Sequence, residues 1–251
     1  MLHPARVAYV GNRAPREIAK LIETGRRISP VPAHVPLKLQ RTSTPRVMFT
    51  HRDMVQAQVG LFSADETYDP ERVVDYSFYS EYMGGDMSAV IFQEVRESRA
   101  LAYSASGGHT AGNKADDTQL WGRLGCQADK TPEAVKLMES LFQNFPSSEK
   151  RFRETAKSIE ESYRTSPVSF RWIPSTVIGW EDQGLTGGDP GPKRFARSLK
   201  YTLPELQAFA ARFKTKPLTV WILGHRDRVG IDQLKALGEF EEKPLDSLFP
   251  Y

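Results

Sequence analysis

Apolar residues change their spacing several times along the chain, and each change predicts an element. Residues 6–10 are a short apolar run stopped by Gly11, which predicts a strand, and residues 15–22 place Ile18, Ala19, Leu21 and Ile22 on one helical face. Pro30, Pro32 and Pro36 then hold an extended connector, because proline fixes φ and disfavours helix at the residue before it. A strand pair is expected at 37–42 and 46–50, and alternation predicts a further strand at 56–62. Residues 69–82 read as a helix with Pro70 in its first turn and Val73, Val74, Phe78 and Tyr82 inward.

The stretch 84–107 carries the sharpest change of period. Asp86 can cap a helix start, and Met87, Val90, Ile91 and Val95 follow as a helical stripe. From Leu101 the period becomes two, so a strand follows the helix almost without a loop. Arg96 near the helix end and Tyr103 near the strand start are close enough in sequence to meet at one site. Downstream, GGHTAGNKADD reads as a turn, 119–128 as a strand antiparallel to the Tyr103 strand, and Thr131–Pro132 as a helix start. That helix has Ala134, Leu137, Met138, Leu141 and Phe142 on its apolar face, and another amphipathic helix spans 149–163. Pro190, Gly191 and Pro192 are expected to break regular structure. A capped helix at 202–213, a strand at 218–223 ending in Gly224, and a short helix at 232–237 follow. The tail, apolar at Leu245, Leu248, Phe249 and Tyr251, is expected to dock on the body. Strands interleaved with helices gathered on one face predict an α+β sandwich, with 1–36 leading into a main body at 37–251 of a single domain.

Composition narrows the class more than the function. With 39% hydrophobic and 26% charged residues among 251, the chain suits a soluble globular domain with a proper core. The net charge of +3 is dispersed, with no concentrated basic face of the kind nucleic acid requires. No apolar run approaches the length of a membrane span. No signal-peptide pattern is visible at the start, which leaves the compartment open if the chain is a piece of something longer. Cys126 is the lone cysteine and reads as a buried filler.

The run MGGDMSAVIFQEVRESRALAYS resembles the LGGGxSSRLFxxLREKxGLAYS signature of the pitrilysin and insulinase group of inverted-motif zinc metallopeptidases, which includes the mitochondrial processing peptidase. Gly84, Gly85, Met87, Ser88, Phe92, Arg96, Leu101, Ala102, Tyr103 and Ser104 match in order without gaps, and Ala89 and Val90 depart from it, a change expected to touch a surface contact. The resemblance implies a two-layer domain with an antiparallel-rich sheet under helices, best matching the last of four similar domains. It also implies that Gln56 or Gln58 fills the place of a family glutamine, and that TLPELQAFAARF precedes the last strand. In peptidase members, the residues matching Arg96 and Tyr103 come from the half opposite the zinc and contact the substrate backbone near the scissile bond. On that reading Tyr103 is a catalytic oxyanion donor, Arg96 a substrate-positioning cation and Ser104 part of the same substrate-binding surface. Gly84 and Gly85 have the structural job of close backbone approach or a tight helix start.

The family's zinc site is missing from this chain. That site is an HxxEH helix plus a downstream glutamate. None of the five histidines, His3, His34, His51, His109 and His225, has a second histidine four residues away together with the motif's glutamate. His51 and His225 are expected at strand ends, and Asp116 and Asp117 read as an exposed turn rather than a carboxylate pair. The expectation is a non-zinc domain or subunit of a zinc metalloendopeptidase, with no cofactor of its own and zinc in the partner half. Its expected partners are a peptide or unfolded polypeptide and an HxxEH-bearing half, fused or separate. A longer secreted member would place it in the bacterial periplasm. The alternative is a catalytically inactive interaction subunit resembling the core proteins of the respiratory cytochrome bc complex. An independent zinc enzyme is the third and weakest reading.

Overall fold

Alternate burial along the strands sorts the molecule into layers. In a computed structural model describing residues 6–23 and 35–248, strand residues are buried on one side of a single sheet and partly exposed on the other. The elements in chain order are α1 (Pro15–Glu23), β1 (Arg46–His51), β2 (Gln56–Thr67), α2 (Val73–Gly84), β3 (Ala102–Thr110) and β4 (Asp117–Gln127). Next come α3 (Thr131–Gln143), α4 (Glu149–Thr165), α5 (Ile173–Asp182), α6 (Gly191–Ser198) and α7 (Leu203–Ala210). The last are β5 (Thr219–Gly224), α8 (Ile231–Lys235), β6 (Glu239–Glu242) and α9 (Leu245–Leu248). The six strands run in the order β3-β4-β2-β5-β1-β6. Pairings on the β2 side are antiparallel, whereas β1 lies parallel to both β5 and β6. The α+β class is therefore as expected, with a mixed, mostly antiparallel sheet.

Val47, Phe49, Val59, Leu61, Leu120, Leu124, Val220 and Ile222 point from the sheet into the core. Helix α2 buries Val74, Tyr76, Phe78, Tyr79, Tyr82 and Met83, a set too wide for one stripe, as expected of a helix enclosed by its neighbours. It packs against β3, α4, α6 and α7. Burial of one large side chain contributes about 1.5–3 kcal/mol, so this helix anchors the layer. A capping box ties Thr202 to Glu205 at the start of α7.

Several expectations are corrected by the structure. Residues 6–10 form no strand. Helix α1 is present, but its apolar face is not buried and Leu21 is exposed. Residues 37–42 are not a strand either. The Leu37 amide donates to the Asp116 carboxylate at 2.7 Å and the Leu39 amide to Asp117 at 3.2 Å, so side-chain acceptors replace a ladder. Asp116 and Asp117 are accordingly buried rather than exposed. Pro190–Pro192 do not abolish structure, because Pro192 occupies the first turn of α6, where its missing amide costs nothing. Strand β2 extends to Thr67, and β6 was not foreseen. Leu245 and Leu248 line a groove with Trp221 and Leu223 on the sheet face away from the core. Pro30, Pro32, His3, His34, Phe249 and Tyr251 lie outside the described residues. No helix among the described residues is long and apolar enough to cross a membrane.

Candidate functional site

Helix α2 runs along the outer edge of β3 and closes half of it. The Ser80 hydroxyl accepts from the His109 amide and donates to the His109 carbonyl, both at 3.0 Å, so one side chain satisfies both edge-facing groups. Gly84 backs directly onto Gly107: a Cβ there would lie 2.2 Å from the Gly107 oxygen. Close backbone approach is thus the reason for glycine at 84, which sits at the end of α2 rather than at the start of a helix. His109 and Gly107 turn their main-chain groups to this edge. By strand alternation Ala105 does the same, beyond the reach of α2.

The segment between α2 and β3 departs from a regular helix. Asp86 accepts from the Ser88 amide at 2.7 Å, a local cap. Val90, Ile91 and Val95 of the expected stripe are buried, but Met87 is exposed. Ala89 and Val90, expected to touch a surface contact, are both buried. Phe92–Glu97 winds as a π-helical turn. The Ser98 amide reaches the Gln93 carbonyl at 2.8 Å and the Leu101 amide reaches Val95 at 3.0 Å, which widens the exit. Ala100 then takes a left-handed φ of 49°. The signature has glycine at that place, and a Cβ there is strained. Ala100→Gly is expected to stabilise the chain by about 0.5–1 kcal/mol in chemical denaturation, the relief of strain exceeding the added chain entropy.

A bulge completes the site. Ala102 pairs with Cys126 and Ser104 with Gly125, so Tyr103 is the extra residue between them. The bulge turns Tyr103 outward at 76% exposure. The Arg96 guanidinium carbon lies 4.8 Å from the Phe92 ring centroid and 5.9 Å from that of Tyr103. Its nearest carboxylate, Glu97 at 3.6 Å, is itself half exposed, so the cation is only weakly neutralised. Ser104 lies on the neighbouring sheet face, where its hydroxyl and the Gln58 amide flank Gly125. Arg96 and Tyr103 are therefore brought together, with Ser104 next in the strand, whereas Gly84 packs further along β3 on Gly107 and Gly85 packs against Glu81.

A second cluster was missed in the sequence. His109 is not in a turn but buried on β3, and its Nε2 donates to Asp65 at 2.9 Å. Arg212 donates to both Asp65 oxygens at 2.8 and 2.9 Å, and Lys216 adds a further contact. Tyr76 stacks on the imidazole at 4.5 Å. Burial alone would raise the Asp65 pKa. Hydrogen bonds from His109 and Lys216 and the charges of Lys216 and Arg212 outweigh it and hold the carboxyl well below its usual range. Burial lowers the His109 pKa despite Asp65, so the ring stays neutral. Asp65 and His109 are buried while Arg212 and Lys216 stay partly exposed, and together they tie β2 and β3 to the segment after α7. His51 and His225 do sit at strand ends, their rings 5.4 Å apart, and His51 Nδ1 accepts from the Arg226 amide. Among the described residues no group of three or more His, Cys, Asp or Glu side chains is placed to hold a metal.

Comparison with known proteins bears on the family and the fold. Residues 5–167 match the family model described as the peptidase M16 inactive domain. No curated protein matches the chain. Among solved structures, the peptidase M16 inactive domain from Pseudomonas fluorescens aligns at a TM-score of 0.67 and 16% identity, covering 83% of this chain and 50% of that one. A protease from Helicobacter pylori aligns at 0.65 and 16% identity, covering 86% and 53%. The periplasmic protease PqqL from Escherichia coli aligns at 0.63 and 16% identity, covering 86% of this chain and 25% of that one. At such identities the structures attest the fold, and this chain spans about half the length, or a quarter, of these proteins. The match over residues 5–167 shows that the chain belongs to the peptidase M16 inactive domain family.

Proposed function

We propose that this chain is the non-zinc half of a metalloendopeptidase, which binds an extended peptide and presents it to an HxxEH-bearing partner. The observation that carries the reading is the convergence of Arg96 and the bulged Tyr103 beside the uncovered stretch of the β3 edge. An extended peptide pairs with such an edge through main-chain hydrogen bonds, whatever its side chains. Ala105 offers the amide and carbonyl, Arg96 holds a peptide carbonyl or an acidic group, and Ser104 lies on the adjoining face. Tyr103, with its ring exposed, donates its hydroxyl to the scissile carbonyl oxygen as negative charge develops there. Zinc in the partner half would supply the activated water.

Ala105→Pro tests the edge. Proline is tolerated where the missing amide would face solvent, so the chain should fold while KM for extended peptides rises by about fivefold or more, the loss of one hydrogen bond. An unchanged KM with the partner half present would remove edge pairing from the account.

A further inference from the structure

The segment from the end of α4 through α5 stands away from the core. None of the ten residues of α5 is buried. Phe170 is 57% and Trp172 67% exposed, and Val168, Ile173 and Val177 are exposed beside them. Five large apolar side chains exposed within ten residues are more than scattered surface hydrophobics and fit an interaction site. Between Arg164 and Glu181, Arg171 is the sole charged residue, the charge depletion and aromatic content of an interface centre. The helix is also a poor one in isolation: it is short and carries Ile173, Thr176, Val177, Ile178 and Gly179. Such a sequence holds its shape best when its apolar side chains are packed.

We propose that this arm is the docking element by which the chain binds its HxxEH-bearing half, with Trp172 and Phe170 as the buried anchors. The inference rests on the reading that such a half pairs with this chain. Two observations favour that occupant. The matched chains from Pseudomonas fluorescens and Helicobacter pylori are about twice the length covered, so each extends well beyond the part that this chain matches. The leading segment is also held at the base of the arm, Arg6 pairing with Asp182 at 2.6 Å and with Glu181 at 3.6 Å. A partner body joined ahead of that segment would lie beside the arm. The arm lacks the cationic cluster that a nucleic acid would need, and its single helix is too short to span a bilayer.

The test uses the full chain and its HxxEH half purified separately, with affinity measured by calorimetry and mass by sedimentation. Trp172→Glu and, as a second variant, Phe170→Glu should each weaken association by roughly thirtyfold or more, the loss of one aromatic hot spot. The unfolding midpoint of the chain alone should stay unchanged, and Tyr103→Phe should bind like the wild type. If both arm variants bind like the wild type, the docking proposal is overturned while the peptide-presenting reading stands. If the wild type does not bind the half at all, both fall. If the wild type instead forms a dimer that Trp172→Glu dissociates, the occupant is a second copy and the proposal is overturned.

Discussion

Asp65→Ala is expected to destabilise the chain by about 3–5 kcal/mol, the loss seen when one member of a buried charge cluster is removed. Asp65 is fully buried and receives His109, Arg212 and Lys216, which come from β3 and from the segment between α7 and β5. Without it, two cations and an imidazole N–H face a space that no longer accepts from them. Arg212 keeps Glu66 at 2.9 Å, which limits the loss but does not abolish it. The pH dependence follows from the two shifts. The His109 pKa is lowered in the folded state, so the unfolded chain takes up a proton first and stability falls as pH drops below about 6.5. The Asp65 pKa is lowered too, so its contribution is complete above about 3.8 and is lost as pH falls further. Denaturant titrations of wild type and variant across pH 3–8 check both steps, on the order of units set by reference pKa values. A variant within 1 kcal/mol of wild type at neutral pH, on the order of an ordinary surface change, would show that the cluster does not stabilise the fold.

Tyr103→Phe is the second large effect. In the paired enzyme it should lower kcat by about 10²–10³-fold, the cost of losing one oxyanion donor, with KM nearly unchanged. The reason is geometric. The ring is exposed on a bulge and rests near Arg96, so the substitution removes only a hydroxyl and leaves the surface intact. Single-turnover kinetics with a fluorogenic peptide separates this from a binding defect. A loss confined to KM would give Tyr103 a contact role and take the donor role away from it.

The helices and central strands were legible because burial imposes periodicity: α3, α4, α7, β4 and β5 lie within a few residues of their expected places. The misses have identifiable causes. Gly107 and Gly108 look like turn residues, yet they are strand positions where a Cβ would meet Ile91 and the Trp121 carbonyl at 107 and Ser80 at 108. That misreading also hid His109, whose partner Asp65 is 44 residues away in sequence. Residues 37–42 alternate like a strand, but the Asp116 and Asp117 carboxylates take their amides instead. The π-helical turn and the bulge at Tyr103 leave no periodic trace, being single-residue insertions into regular patterns. They are also what brings Arg96 and Tyr103 together, so the site residues were named through the signature while their geometry was not readable.

Cleavage of a peptide set by the HxxEH-bearing half, assayed with and without this chain, tests the central claim most directly. The account predicts turnover only when both are present. Tight binding of the two without any cleavage would contradict it and would favour an architectural subunit.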